Sequence, residues 1–145
     1  EQHMSVNTRA PLMLIQKFAP MLAAGASVKR PATLGRVVNF VDTHVLGQPH
    51  LGYAPYIASK AALVEITRGL ALELAPKITV NAIAPGVIEW AKSFSQTQRK
   101  AYLKRVPLAR PGTPTDAAST VLFLVRDAHY ITGQVLRLDG GRGLT

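Results

Sequence analysis

Cysteine is absent from this 145-residue chain. That removes disulfides and thiolate metal sites and fits a reducing compartment such as the cytoplasm. Acidic side chains are scarce: eight Asp and Glu stand against seventeen Lys and Arg, a formal charge of +9. Such an excess suits phosphorylated cofactors, acidic substrates or nucleic acid, and charge alone does not choose among them. Aromatic residues make up only 6% of the chain. They are not interleaved with the scattered basic residues (Lys29, Arg30, Arg36, Lys77, Arg99, Lys100, Lys104, Arg105, Arg110) as in a nucleic-acid module, so no nucleic-acid partner is expected. No apolar run approaches the ~20 residues of a membrane span. Glu1 is followed at once by an amphipathic pattern, and no cleavable leader is expected.

What is present describes one globular domain, with 48% hydrophobic and 17% charged residues. From His3 to Ala24 the apolar residues Met4, Leu12, Leu14, Ile15, Phe18, Met21 and Leu22 recur at helical spacing and predict a buried helix, which Pro11 should break or kink. Residues 25–34 read as an exposed connection, and Gly35–Val41 as a buried parallel strand ended by Asp42. The loop from Thr43 to Tyr53 holds His44 and His50, six apart with no third ligand nearby, which reads as surface histidine and no metal site. A helix follows from Ala54 to Ala75, directing Ala61, Ala62, Leu63, Ile66, Leu70 and Leu74 inward. A second buried strand, Ile78–Ala84, ends at Pro85-Gly86, and the β-α-β order implies a parallel sheet. Residues 89–105 have the composition of a mobile lid, with Trp90, Phe94 and Tyr102 as its large apolar groups. Thr113-Pro114 caps a helix burying Ala117, Ala118, Val121, Leu122, Leu124 and Val125; a last strand runs from Gln134 to Leu138.

The chemistry concentrates at Tyr56-Ile57-Ala58-Ser59-Lys60. Tyr56 and Lys60 are i and i+4, one turn apart on one helical face. A phenol beside an ammonium ionises more readily and can give up and regain a proton near neutral pH. By itself this spacing also arises on solvated helices. Asp42, at the carboxyl end of a parallel strand, stands where open α/β sheets form their ligand crevice, although turn caps occur there too.

Six collinear features are similar to the second half of the short-chain dehydrogenase/reductases. They are Val6-Asn7, Val38-Asn39, Tyr56-x-x-x-Lys60, Val80-Asn81-x-Ile83-x-Pro85-Gly86, Gly112-Thr113-Pro114-Thr115-Asp116, and Tyr130-Ile131-Thr132-Gly133-Gln134 running on to Asp139-Gly140-Gly141. The resemblance implies a Rossmann-like, doubly wound parallel sheet of which residues 1–145 are the C-terminal catalytic part. Most members carry Ser where the strand ends. Asp42 in that place, followed by Gln48-Pro49 and Leu51-Gly52-Tyr53, resembles the pteridine reductases. The gap from Asp42 to Tyr56 is fourteen positions, one longer than usual, so on spacing alone Thr43 would fill the hydroxyl position. A loop absorbs an extra residue more easily than a strand shifts register, which favours Asp42.

The implied reaction is hydride transfer from NADP(H) or NAD(H) to a pterin-type ring; a carbonyl or 3-oxoacyl group is the alternative substrate. The resemblance makes Tyr56 the proton donor and has Lys60 lower its pKa and bond the nicotinamide ribose. It gives Asn7 a water linking Lys60 to solvent, and Asp42 the ring N–H groups. The backbone of Pro85, Gly86, Val87 and Ile88 would meet the carboxamide; Val45, Leu46, Tyr53 and Trp90 would wall the substrate pocket. Trp90 stands where many members have a cofactor-contacting Thr, so that contact is lost or replaced. A homodimer or tetramer is implied as well, and a non-catalytic oligomerisation module is the alternative from another class.

A Gly-rich turn leading into a helix, which cradles the pyrophosphate in such folds, is missing: Gly140-Gly141 and Gly25 lie elsewhere. The chain is therefore expected to be a fragment of a longer protein, or one piece of a cleaved one. An intact-mass spectrum under denaturing conditions should show a longer chain, or a second polypeptide beside the 15.6 kDa one. A single 15.6 kDa species would contradict this.

Overall fold

The computed structural model describes residues 1–48 and 50–145; Pro49, quoted above in the loop motif, lies outside the described residues. The chain begins with a short helical turn, α1 (Gln2–Met4), that runs through a π-helical turn (Ser5–Arg9) into α2 (Ala10–Ala24). Pro11 sits in the first turn of α2. It has no N–H to offer the Asn7 carbonyl, and the widened turn immediately before it takes up the disruption that the proline imposes. The expected break is thus a local π-turn within a continuous helical path.

Strand β1 (Gly35–Phe40) follows, then a 3₁₀ turn (Thr43–Leu46), helix α3 (Ala54–Glu73) and strand β2 (Ile78–Pro85). Helices α4 (Gln96–Leu103) and α5 (Pro114–Arg126) lead to β3 (Val135–Leu138). The sheet is parallel throughout, in the order β1-β2-β3, with Val37 opposite Val80 and Ile83 opposite Leu136. Parallel strands need long crossovers, and α3 and the α4–α5 segment supply them.

β2 shows why both faces must be covered. Ile78, Val80, Ala82 and Ala84 point to α2 and α3, where they meet Ile15, Leu63, Val64, Leu70 and Ala71. Ile83 points the other way, to Leu124 and Ala128. Asn81 is buried yet satisfied: its side chain donates to the Ile131 carbonyl at 2.9 Å and accepts from the Gln134 N–H at 3.0 Å. It thereby ties the loop before β3 to β2, the role that a buried amide must play to offset its desolvation.

The helices are less buried than their periodicity predicts. In α2 only Ile15 is buried, with Leu12, Ala19, Leu22 and Ala23 packed beside it, while Leu14, Phe18 and Met21 form a second, exposed stripe. In α5 only Leu124 is buried; Ala118, Leu122 and Val125, expected inside, are exposed. A helix laid on a sheet buries one stripe, and apolar residues beyond that stripe stay outside whatever their spacing. In α3 the buried face includes Ser59 and Thr67, polar residues matched to Asn7 and Asn39. Among the described residues, no helix is long and apolar enough to cross a membrane.

Leu124 is 1% exposed and seals the α5 face. Leu124→Ala should cost about 2–5 kcal/mol in denaturant unfolding, whereas Leu122→Ala should stay within about 1 kcal/mol. Equal losses at the two positions would show that α5 does not sit on the sheet as described.

Candidate functional site

β1 ends at Phe40, and Asp42 and Thr43, the second and third residues beyond it, take different partners. Thr43 is fully buried and its hydroxyl donates to Asp139 Oδ2 at 2.7 Å, so it is turned away from α3. Asp42 instead receives the Tyr56 hydroxyl on Oδ2 at 3.0 Å. Its other oxygen, Oδ1, accepts the His44 backbone N–H at 2.8 Å and the His44 ring Nδ1 at 2.7 Å. One carboxylate therefore caps the 3₁₀ turn with one oxygen and faces the phenol with the other. The cap reading of Asp42 is realised, and the same carboxylate has lone pairs left to accept from the Tyr56 hydroxyl.

Tyr56 and Lys60 lie on α3, held toward the end of β1. Lys60 Nζ donates to the Phe40 carbonyl at 2.8 Å. Asn7, in the π-turn, donates from Nδ2 to Ser59 Oγ at 3.1 Å, and Ser59 in turn donates to the Tyr56 carbonyl at 2.6 Å. Thr8 adds a bond to the Ser59 carbonyl at 2.9 Å. The widened turn is thus clamped to α3 at the residues that carry the chemistry, and Asn7 acts here on Ser59.

The electrostatics differ from expectation. Burial raises the Tyr56 phenol pKa, and the negative charge of Asp42 and its hydrogen bond raise it further, above the ordinary phenol range. Lys60 is not among the groups that shift it here; its ammonium donates to the Phe40 carbonyl. Burial lowers the Lys60 pKa, with the charge of Asp42 opposing. Burial pushes Asp42 upward, but hydrogen bonds from the His44 ring and backbone and from Tyr56, with the charge of His44, outweigh it and hold the carboxyl below its ordinary value. Tyr56 in this state is a protonated phenol donating to a carboxylate.

The end of β2 forms the neighbouring wall. At Gly86 an added Cβ would lie 3.0 Å from the Tyr102 hydroxyl and 3.1 Å from Asp139 Cα, so a side chain there would push its neighbours back by a few tenths of an ångström. The Val87 N–H donates to the Tyr102 hydroxyl at 3.2 Å, and the Val87 carbonyl accepts from the Gly112 N–H at 2.9 Å. The segment expected as a lid carries α4, capped reciprocally by Ser95 and Gln98, and its aromatics cluster: Trp90 lies 5.6 Å from Phe94 and 5.5 Å from Tyr102, with Arg99 over the indole.

Between this segment and the loop after β1 lies a cavity of about 630 Å³, lined among others by His44, Gln48, Phe94, Tyr102, Arg105 and Arg142. Tyr56 lines a smaller hollow of about 300 Å³ with Tyr53, Pro55, Gly52 and His3. Val45 and Leu46, expected as pocket walls, pack instead onto the core around Val41 and Leu63, because the 3₁₀ turn folds back over the sheet. Trp90 lies behind Phe94 and Tyr102, which line the larger cavity in its place. Among the described residues no three His, Asp or Glu side chains converge to hold a metal ion.

A family profile described as enoyl-(acyl carrier protein) reductase matches residues 1–142. The chain belongs to the short-chain dehydrogenase/reductase family. It is 38% identical over 142 residues to the 3-oxoacyl-(acyl-carrier-protein) reductase FabG of Staphylococcus aureus strain Mu50, a match covering 93% of this chain and 53% of that protein. It is 48% identical over 113 residues to the enzyme of the same name from Buchnera aphidicola subsp. Baizongia pistaciae, covering 75% of this chain and 43% of the relative. A crystal structure of a short-chain dehydrogenase/reductase from Burkholderia xenovorans superimposes with a TM-score of 0.84 at 32% identity, covering 98% of this chain and 54% of that one. The chain spans about half the length of the relatives it matches.

Within that family frame, two residues escaped the sequence reading. His44, taken for a surface histidine, is bonded to the carboxylate that faces Tyr56, and its signal was the Asp-x-His spacing immediately after a strand. Ser59, inside the Tyr56-x-x-x-Lys60 run, links Asn7 to α3.

The pKa directions set the pH behaviour. Asp42, depressed in the fold, contributes stability above the ordinary carboxylate pKa of about 4 and loses it as pH falls through its folded value. Tyr56 is raised, so its contribution is present below about pH 10 and is lost as pH rises toward the folded value. Asp42→Asn removes the charge and should lower the pH at which Tyr56 ionises, read from phenolate absorbance with Tyr56→Phe identifying the signal. An unchanged titration would contradict the Asp42–Tyr56 contact.

Proposed function

We propose that this chain is the catalytic half of a nicotinamide-dependent reductase in which Tyr56 delivers a proton to a carbonyl of the 3-oxoacyl type. The observation that carries the reading is the protonated Tyr56 phenol held at the carboxyl end of β1, next to the glycine-tight end of β2. The names of the relatives support the substrate class. A nicotinamide cofactor, NADP(H) or NAD(H), would supply the hydride. The residues present suit its nicotinamide end: Gly86 adds no side chain at the end of β2, and Lys60 stands half-buried on α3 as a cation for ribose hydroxyls.

In this mechanism Asp42 and His44 orient the phenol, and the substrate oxygen takes the place of Asp42 Oδ2 as acceptor of the Tyr56 proton. Lys60 then steadies the resulting phenolate by its charge. Asn7, through Ser59, fixes the turn of α3 that carries both. The proposal includes assembly of the complete protein as a homodimer or tetramer.

A second reading, reduction of a pterin-type ring, is favoured by Asp42 itself. A carboxylate accepts two parallel N–H bonds from an amidine edge, which a serine in the same place does not. Asp42→Ser separates the two: a serine hydroxyl can still accept the Tyr56 O–H, so 3-oxoacyl reduction by the purified protein with NADPH should fall far less than pterin reduction, which should be crippled. Pterin turnover that persists in the variant would remove Asp42 from that reading; no turnover of either substrate by the wild-type protein would remove both.

A further inference from the structure

Arg142 is the anomaly of the larger cavity. It follows Gly140-Gly141, both in the left-handed region, and the turn brings its side chain inward until it is only 6% exposed. Nη1 donates to Gln48 Oε1 at 3.0 Å and to the Thr145 main-chain oxygen at 3.3 Å, and the guanidinium lies 5.7 Å from the Tyr102 ring centre. Its Nε is buried without a hydrogen-bond partner. Among the described residues, the side-chain ion pairs are Asp42–His44, Glu65–Arg68, Asp116–Arg110 and Asp127–Arg126, and none includes Arg142.

A buried guanidinium that pairs with no Asp or Glu side chain among the described residues, and whose Nε has no partner, is costly, and a planar oxyanion is the group its fork of donors fits. Arg105 adds a second cation to the lining. Arg105, His44 and His50 contribute cationic or donor groups, Gln48 an amide, Leu51, Val87 and Phe94 apolar wall, and no Asp or Glu lines the cavity. At about 630 Å³ the space admits a small organic molecule. His44 joins the cavity to the proton donor, since its Nδ1 is bonded to the carboxylate that receives the Tyr56 hydroxyl.

We propose that this cavity is an oxyanion subsite, in which Arg142 and Arg105 receive a carboxylate or phosphate carried by the substrate. The inference deepens the reductase reading and rests on it for the claim that the bound anion belongs to a substrate. It makes Arg142 and Arg105 specificity-determining residues, and it gives the basic excess near the site a use.

The test is isothermal titration of the purified protein with acetoacetate, a 3-oxo carboxylate, and with inorganic phosphate; ethyl acetoacetate is the neutral control. Saturable binding of at least one anion is expected, with little or none of the ester. Arg142→Gln and Arg105→Gln should each weaken anion binding roughly tenfold or more, with the fold checked by circular dichroism. Arg105 is exposed, so its variant answers the question even if the Arg142 variant fails to fold. Preference for acetoacetate assigns a carboxylate, and preference for phosphate assigns a phosphate group. Anion affinity unchanged by both substitutions, or no saturable binding of either anion, overturns the proposal. Titration needs no turnover, so a protein that binds the anions and reduces neither acetoacetate nor ethyl acetoacetate with NADPH fails the reductase reading alone.

Discussion

Everything in this structure depends on β2 being paired on both edges and covered on both faces. Its parallel register with β1 and β3 brings the carboxyl ends of the strands to the same side. Asp42, Gly86 and Asp139 follow those three ends, and their side chains and turns make the site. A strand buried on both sides cannot slip, because a one-residue shift would turn Asn81 out of its two hydrogen bonds and move every apolar side chain to the wrong helix. The rigidity of the site is inherited from that constraint.

Asp42 then divides its two oxygens between structure and chemistry. One oxygen caps the turn and orients His44; the other accepts the phenolic proton of Tyr56. Its negative charge favours the protonated form of the tyrosine. The lysine one turn along α3 is anchored to the end of β1. Asp139 plays the corresponding structural part on the other side, accepting from Thr43 and from the Gly141 and Gly143 N–H groups, and so binds the last turn to the loop after β1.

That C-terminal turn is also what carries Arg142 inward. Its neighbours Gln48 and Tyr102 come from two other parts of the chain, and their convergence produces a cationic cavity beside a carboxylate-bound histidine. The scattered basic residues of the sequence are thus sorted by the fold: most stay on the surface, and a few line one space.

The linear order of residues was enough for the class of fold. Apolar runs of strand length, separated by helical stretches and ended by Asp42 and Pro85-Gly86, dictate a parallel α/β sheet, and Tyr56 and Lys60 share a helical face by spacing alone. Tertiary structure decided the rest. Periodicity could not say which of two apolar stripes on α2 meets the sheet, because both have helical spacing. Spacing left Asp42 and Thr43 open, and only the pleat of β1 and the position of Asp139 turn the threonine away from α3. His44 looked like a surface residue although its partner Asp42 is only two residues away, and Arg142 drew no notice because its partner Gln48 lies far from it in sequence. Proximity of the second kind is created by folding.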